Sequence, residues 1–222
     1  LEKKSGNNTI RFEQRDWYKK RKNDGGGTSY ILKNGNIFDK LGVNKSTVKG
    51  IFHKKFRENI LGAKKDGKYW ASGVSVVAHM KNPKIPALHF NTRFIITSKS
   101  WFGGGIDATP AIKDRKEENL FHNELYKICK NNNKNYKRYK RFCDEYFYLP
   151  HRNEPRGIGG IFFDYETKNW EKNFKFVREL GLGFTQITKR IVLRKIKTKW
   201  KKFEKEMQLI KRGRYIEFNL LY

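Results

Sequence analysis

The chain has 222 residues, with 50 Lys and Arg against 22 Asp and Glu, so its formal net charge is +28. This length suits one large domain or two small ones, and aromatic residues at 15% supply bulky material for a core. The charge indicates an anionic partner, such as a nucleic acid, an acidic membrane or a polyanionic small molecule. The alternative is a general bias of the composition towards basic residues without a binding role, because these residues are spread along the chain rather than gathered in one arm.

Simple features argue against three classes of protein. The chain holds no run of about eighteen apolar residues, so we expect no transmembrane segment. Residues 1–8 are polar and do not resemble a secretory signal. Cys129 and Cys143 lack the CxxC spacing, which favours a reduced, cytoplasmic protein over a disulfide-bonded one.

The first predicted elements are a loop at 24–28, a strand at 29–32 and a turn at 33–36. The two strongest strands follow at 73–80 and 88–98, because both are rich in Val, Ile, Thr and Phe. A Pro-containing connection between them predicts that they pair as a hairpin.

Alternation along the second of these strands separates apolar from polar side chains. One face holds Leu88, Phe90, Thr92, Phe94 and Ile96; the other holds His89, Asn91, Arg93 and Ile95. In the first strand Ser75 and His79 share a face, and the hairpin would bring Ser75 towards Arg93. His89, Asn91 and Arg93 combine a proton donor, an amide and a guanidinium suited to a carboxylate, so this face is a candidate site.

Residues 101–110, with the sequence WFGGGIDATP, contain three consecutive glycines before Asp107. The segment lacks the Lys-Ser/Thr ending of a phosphate-binding loop. Glycine permits sharp bends, so the stretch predicts a flexible or tightly turned segment that presents Asp107.

The C-terminal half predicts mainly helices. The predicted elements are helices at 114–130 and 135–146, a strand at 157–164, a helix at 169–180, a long basic helix within 183–211, and a strand at 214–221. The basic stretch 189–202 is expected to pack on the sheet through Ile191, Leu193, Ile196 and Trp200; alternatively it lies on an anionic membrane or RNA. Paired strands and a block of helices predict an α+β fold, a large, mostly antiparallel sheet flanked by helices, in a single domain spanning 1–222.

Four of the five histidines lie in the middle of the chain: His79, His89, His122 and His151. Imidazoles from different elements can converge on a divalent metal, although these spacings match no zinc signature. The alternative is isolated histidines with hydrogen-bonding roles.

Several strings resemble the oxygen-dependent coproporphyrinogen III oxidase family. They are 25–27 (GGG), 73–79 (GVSVVAH), 89–94 (HFNTRF), 101–110, 143–154 (CDEYFYLPHRNE), 156–160 (RGIGG) and 212–219 (RGRYIEFN). The resemblance covers most of the chain. It implies a homodimer built on a large antiparallel sheet with helices on both sides, and an oxidative decarboxylation with dioxygen as co-substrate and neither flavin nor haem.

The resemblance also implies roles for particular residues. Ser75, Asn91, Thr92 and Arg93 fall at substrate-binding positions, His89 at the proton donor, and the four histidines at a divalent metal site. The substrate, coproporphyrinogen III, carries carboxylates outside and pyrrole N–H donors inside. We therefore expect Arg93 to bind a propionate and Asp107 to accept pyrrole N–H bonds.

The chain departs from the family pattern at both ends. It stops at Tyr222, before the Asp-Arg-Gly-Thr and Gly-Gly-Arg segments expected to contact substrate and support the dimer, and the expected N-terminal helix is incomplete. An inactive truncated remnant is therefore one alternative. A basic RNA-binding protein is the other, although no recognition-module signature is present, so a nucleic-acid partner is not expected.

Overall fold

Seven strands form one antiparallel sheet in a computed structural model, which describes residues 1–221 apart from the Lys22 side chain. The sheet strands are β1 (Glu13–Tyr18), β2 (Gly25–Lys33), β3 (Phe38–Ile51), β4 (Lys68–Met80), β5 (Ala87–Ile96), β6 (Ser100–Thr109) and β9 (Gly159–Glu166). Their order is β1-β2-β3-β4-β5-β6-β9, so β9 returns to pair with β6. A separate short hairpin joins β7 (Tyr148–Leu149) to β8 (Glu154–Pro155).

Within residues 1–221, five α-helices accompany the sheet. They are α1 (Lys54–Arg57), α2 (Arg115–Asn131), α3 (Tyr136–Tyr146), α4 (Trp170–Lys195) and α5 (Lys202–Leu221). Asp114 caps α2 by accepting hydrogen bonds from the backbone N–H groups of Lys116 and Glu117, and Asn135 caps α3 in the same way. The predicted α+β class is confirmed. Within the described part of the chain, every helix is too short or too polar to span a bilayer.

The sheet has one face packed against helices and one polar face. The helix-packed face carries Leu88, Phe90, Ile106, Ala108, Ile161 and Phe163, all buried in the core with residues of α2, α3 and α4. Phe184 of α4 stacks on Phe90 with ring centroids 5.3 Å apart, and Tyr139 of α3 lies 5.4 Å from Phe163. The polar face carries His89, Asn91, Arg93 and their cross-strand neighbours.

Helix α5 and the β7–β8 hairpin cover one end of the polar face. Tyr215 of α5 meets the His79 ring edge-on at 5.6 Å, and Gln208 donates a hydrogen bond to the Met80 carbonyl at 2.9 Å. Helices therefore lie on both faces, but most of the polar face keeps partial exposure. This arrangement gives the sheet a half-open surface on which a ligand can lie.

The glycine-rich segments were wrongly predicted as a loop and as a flexible or tightly turned segment. Residues 25–28 belong to β2, and 101–109 are buried inside β6, between β5 and β9. A Cβ on Gly105 would lie 2.5 Å from the Ile161 carbonyl oxygen, so a close neighbouring strand explains the glycine here. Glycine permits close packing as well as bending.

The C-terminal helices also differ from the prediction. Residues 169–180 and the start of the basic helix form one helix, α4, whose Gly181 lies against the Phe90 ring. A Cβ there would lie 3.3 Å from that ring, so glycine lets the helix approach the sheet. The predicted strand 214–221 is part of α5, because Gln208, Tyr215 and Phe218 recur at helical spacing on its buried side. Tyr222 lies outside the described residues.

The basic stretch 189–202 packs only in part as predicted. Ile191 is fully buried and Ile196 packs against the core, whereas Leu193 and Trp200 are 38% and 43% exposed. The prediction was wrong for these two side chains. Leu193 lies on the outer side of α4, about 200° around the helix axis from Ile191, and Trp200 follows the end of α4 at Lys195.

Glu2 ties the N-terminus to the β2–β3 turn. Its buried carboxylate accepts backbone N–H bonds from Asn36, Ile37 and Phe38 at 2.8–3.0 Å.

We expect Glu2→Ala to lower the free energy of unfolding by about 1–3 kcal/mol, because buried donors lose their partner. Urea denaturation measures the change. Glu13→Ala, at an exposed residue with only surface ion pairs, is the control, and an equal loss in both variants would contradict this account.

Glu217 on α5 accepts hydrogen bonds from Arg152 at 2.7 Å and His151 at 2.8 Å. These bonds, with Arg152 the larger cause, lower the pKa of Glu217 from 4.5 to about 2. A lowered folded-state pKa means that the contribution to stability is present above about pH 4.5 and is lost as the pH falls towards 2. We expect Glu217→Gln to flatten the fall in urea midpoint across this window. An unchanged slope would refute the link.

Candidate active site

Three parallel rows of side chains cross the polar face from strand to strand. His89 lies opposite Asp107, Asn91 lies between Ser75 and Gly105, and Arg93 lies between Gly73 and Gly103. The structure thus places His89, Asn91 and Arg93 on one face, as the alternation predicted. Ser75 pairs directly with Asn91, whereas Arg93 pairs with Gly73. Ser75 is therefore a diagonal neighbour of Arg93 and not its direct cross-strand partner.

Thr92 lies on the other face. Its side chain is 7% exposed and belongs to the helix-packed side of β5, as the same alternation requires. It therefore does not join the polar residues around it, and its expected place in substrate binding has no support from the geometry.

Asp107 is the centre of a buried charge network. Its Oδ2 lies 2.6 Å from His89 Nδ1, and its Oδ1 accepts a hydrogen bond from Arg156 Nη2 at 2.5 Å. The side chains of Asp107 and Arg156 are only 5% and 2% exposed, whereas His89 is 20% exposed and opens towards the surface. Because Nδ1 faces Asp107, Nε2 is the His89 nitrogen left for proton exchange with a ligand.

The Arg156 guanidinium is enclosed by aromatic rings. Its Cζ lies 3.7 Å from the ring centre of Phe147, 4.5 Å from Tyr215 and 5.0 Å from Phe218. Arg156 opens the family string 156–160, but nothing in that string predicts a role for it. The contact with Asp107 spans 49 positions, and no local spacing signals it.

Arg93 forms the second charged group of the face. Its Nη2 donates a hydrogen bond to Asp164 Oδ2 at 2.7 Å, and the guanidinium lies over the Phe162 ring at 5.6 Å. Asp164 is itself held by the Trp101 indole N–H at 3.0 Å. Arg93 is 27% exposed, so its fork is fixed by Asp164 while it still faces solvent.

Beside these charged groups, the polar face holds many glycines and small polar residues, with larger side chains such as Val77 and Phe162 among them. Its cross-strand positions include Gly27, Gly42, Gly73, Gly103, Gly105 and Gly160, with Ser29, Asn44 and Ser75 beside them. Residues without a Cβ let a flat molecule approach the backbone closely. The polar face is therefore a shallow platform with a carboxylate–imidazole pair and an arginine beside it.

The four histidines do not come together. His122 on α2 has both ring nitrogens engaged, Nε2 with the Ile158 carbonyl at 3.1 Å and Nδ1 with the Tyr136 hydroxyl at 2.8 Å. His151 contacts Glu217. Burial lowers the pKa of His79 to about 4, and its Nδ1 lacks a hydrogen-bond partner among the described residues.

These positions do not fit one metal ion held by all four imidazoles within a single chain. Among the described side chains, no three His, Cys, Asp or Glu groups are placed to share a metal ion. His89 is instead committed to Asp107 through Nδ1.

A deeper groove, of about 660 Å³, lies on the opposite face between the sheet and α4. Its walls are mainly aromatic and aliphatic, including Trp70, Phe94, Trp170 and Phe174. We nevertheless place the candidate active site on the polar face, because an imidazole, a carboxylate and arginines converge there in hydrogen-bonding geometry, whereas the described lining of the groove holds neither an imidazole nor a carboxylate.

Fold and site together define an enzyme with acid–base groups on an open antiparallel sheet, and the comparison with known families agrees. The family model described as coproporphyrinogen III oxidase matches residues 1–222, so the chain belongs to this family of oxidoreductases. It is similar to proteins named oxygen-dependent coproporphyrinogen-III oxidase from Rickettsia akari and Rickettsia bellii, each at 49% identity over 96% of this chain and 76% of the relative. The resemblance found in the sequence is confirmed.

Proposed function

We propose that this chain catalyses the oxygen-dependent conversion of two propionate groups of coproporphyrinogen III to vinyl groups, which gives protoporphyrinogen IX. Each propionate loses carbon dioxide, two electrons and one proton. One dioxygen accepts the four electrons of both steps and, with four protons, becomes two water molecules. The observation that carries the proposal is the His89–Asp107 pair beside Arg93 on a glycine-rich platform, in a chain of this family.

Substrate binding follows from shape and charge. A flat macrocycle suits a sheet face rich in glycine, and its carboxylates suit the Arg93 guanidinium. A net charge of +28 attracts a polyanion before any contact forms. Asp164 orients Arg93, and an incoming propionate binds the donors that Asp164 leaves available.

Asp107 and His89 supply the acid–base part of the reaction. The Asp107 carboxylate holds the imidazole through Nδ1, which directs Nε2 towards the platform. Its negative charge stabilises positive charge that develops on a pyrrole as electrons leave for dioxygen. His89 exchanges a proton at Nε2 with the propionate carbon or the departing oxygen species.

Other expectations from the resemblance stay predictions: a homodimer, a cytoplasmic location and a divalent metal. The two alternatives, an inactive remnant and an RNA-binding protein, gain no support from the relatives, which are named as oxidases.

The test is anaerobic mixing of the chain with coproporphyrinogen III, followed by admission of air. After chemical oxidation, chromatography with fluorescence detection separates dicarboxylic from tetracarboxylic porphyrin. We expect time-dependent formation of the dicarboxylic product. Formation no faster than in heat-inactivated protein would overturn the proposed function.

Asp107→Asn tests the role of the carboxylate. We expect kcat to fall on the order of a hundredfold, because a neutral amide cannot stabilise developing charge as well. Stability should fall as well, by on the order of 3 kcal/mol, since buried Arg156 loses its charged partner. Exposed Asp16 provides the matched control, Asp16→Asn. If a folded Asp107→Asn protein keeps the parent kcat, the role of Asp107 is structural only.

Gly103→Ala tests the platform beside Arg93. An added Cβ would overlap Asp164 Oδ1 and lie 2.9 Å from Arg93 Nε, so the ion pair must move while the strand stays in place. We expect KM to rise about tenfold, the loss of roughly one charge-assisted hydrogen bond, with little change in melting temperature. Gly213→Ala on α5, where the Cβ meets nothing within 4 Å, is the control. Equal KM values in both variants would count against this placement of the substrate.

A further inference from the structure

We propose that Arg156 is a positioning residue for the proposed reaction, which acts on the substrate only through Asp107. The inference rests on the proposed function and adds a residue to it. In this view the guanidinium fixes the rotation of the Asp107 carboxylate, and the aromatic cage of Phe147, Tyr215 and Phe218 fixes the guanidinium.

Burial places Arg156 out of reach of a ligand on the platform. Its side chain is 2% exposed, and its hydrogen bond to Asp107 Oδ1 is buried as well. Arginine stays charged under all ordinary conditions, so a guanidinium buried to this degree requires an anion. Asp107 meets that requirement directly.

The Asp107 carboxylate is divided between two neighbours. Oδ1 contacts Arg156 and Oδ2 contacts His89, so both oxygens are committed and the plane of the carboxylate is set. Without the Arg156 contact, the carboxylate can rotate about the Cβ–Cγ bond of Asp107. The imidazole would then lose its alignment with the reacting carbon, and small misplacements of this kind cost on the order of a hundredfold in rate.

The cage determines where the guanidinium lies. Phe147 comes from the segment after α3, whereas Tyr215 and Phe218 come from α5. The Arg156 backbone N–H also donates to the Phe147 carbonyl at 3.1 Å. A flat cation against aromatic rings is favourable when desolvated, and a lysine ammonium cannot reproduce both the stacking and the directed N–H donor.

Steady-state kinetics of Arg156→Lys and Arg156→Ala test the inference. We expect kcat to fall roughly ten- to a hundredfold with KM within about threefold of the parent, because alignment is lost while substrate contacts stay. Guanidinium chloride at low, non-denaturing concentration should restore part of the kcat of Arg156→Ala. It should not raise the kcat of Arg141→Ala, a variant of a surface arginine on α3.

Combination with Asp107→Asn shows whether the two residues act as one unit. If Arg156 works through Asp107, Asp107→Asn/Arg156→Ala has the same kcat as Asp107→Asn alone. A parent-like kcat in folded Arg156→Lys would overturn the inference. So would a raised KM at unchanged kcat, which indicates direct substrate contact, or a double variant slower by the full factor of Arg156→Ala.

Two further measurements apply where activity cannot decide. If Arg156→Ala does not fold, Phe218→Leu opens the cage with every charge kept. Its kcat should fall several-fold at constant KM, and a kcat equal to that of the parent would refute the role of the cage.

Melting temperatures require no turnover. The double variant should melt above Asp107→Asn, because no buried charge is left unpaired. Additive losses in melting temperature would overturn the inference even in an inactive chain, whereas an inactive parent by itself refutes only the proposed function.

Discussion

A carboxylate buried on a sheet needs a positive partner that is equally buried, and Arg156 meets this need for Asp107. Several other elements of the fold bring these two residues together or enclose them. β9 lies beside β6, which brings the chain segment that carries Arg156 next to Asp107. The segment after α3 and the second half of α5 supply the rings that exclude water from the guanidinium. His89, the partner on the open side, then has a fixed neighbour in an otherwise shallow surface.

The two faces of the sheet have different roles, since one packs the core and the other carries the candidate active site. One face buries aliphatic and aromatic side chains under three helices, which is where the apolar free energy of folding is concentrated. The other keeps small and polar residues and therefore contributes less to that free energy. Variants on the platform can for this reason alter ligand contacts with modest effects on melting, except at the buried Asp107–Arg156 pair, where the two properties are coupled.

Local patterns in the sequence predicted much of this arrangement. The period-2 alternation of β5 placed His89, Asn91 and Arg93 on one face, because alternation is a property of the strand alone. The glycines of β6 and α4 misled the prediction, since a glycine demanded by a close neighbour looks the same in sequence as a glycine demanded by a turn. The alternation of residues 214–221 predicts a strand, whereas contacts of Tyr215 with His79 and Arg156, from distant segments, accompany a helix. No pattern in the sequence links Arg156 to Asp107, because the pairing of β9 with β6 brings the two residues together.

The strand order also has a consequence for how the protein acquires its activity during folding. Strands β1 to β6 form a meander of sequence neighbours, whereas two helices and a short hairpin separate β9 from β6 in the chain. Contacts between distant segments form slowly, because chain entropy must be lost before they can stabilise anything. His89 and Asp107 are 18 positions apart within the meander, but Arg156 arrives from 49 positions away and is enclosed only when α5 docks. A nascent chain would thus form most of the sheet before it forms an active site that can catalyse the reaction. The appearance of turnover would then report the docking of α5, the last step, and not the earlier formation of the sheet.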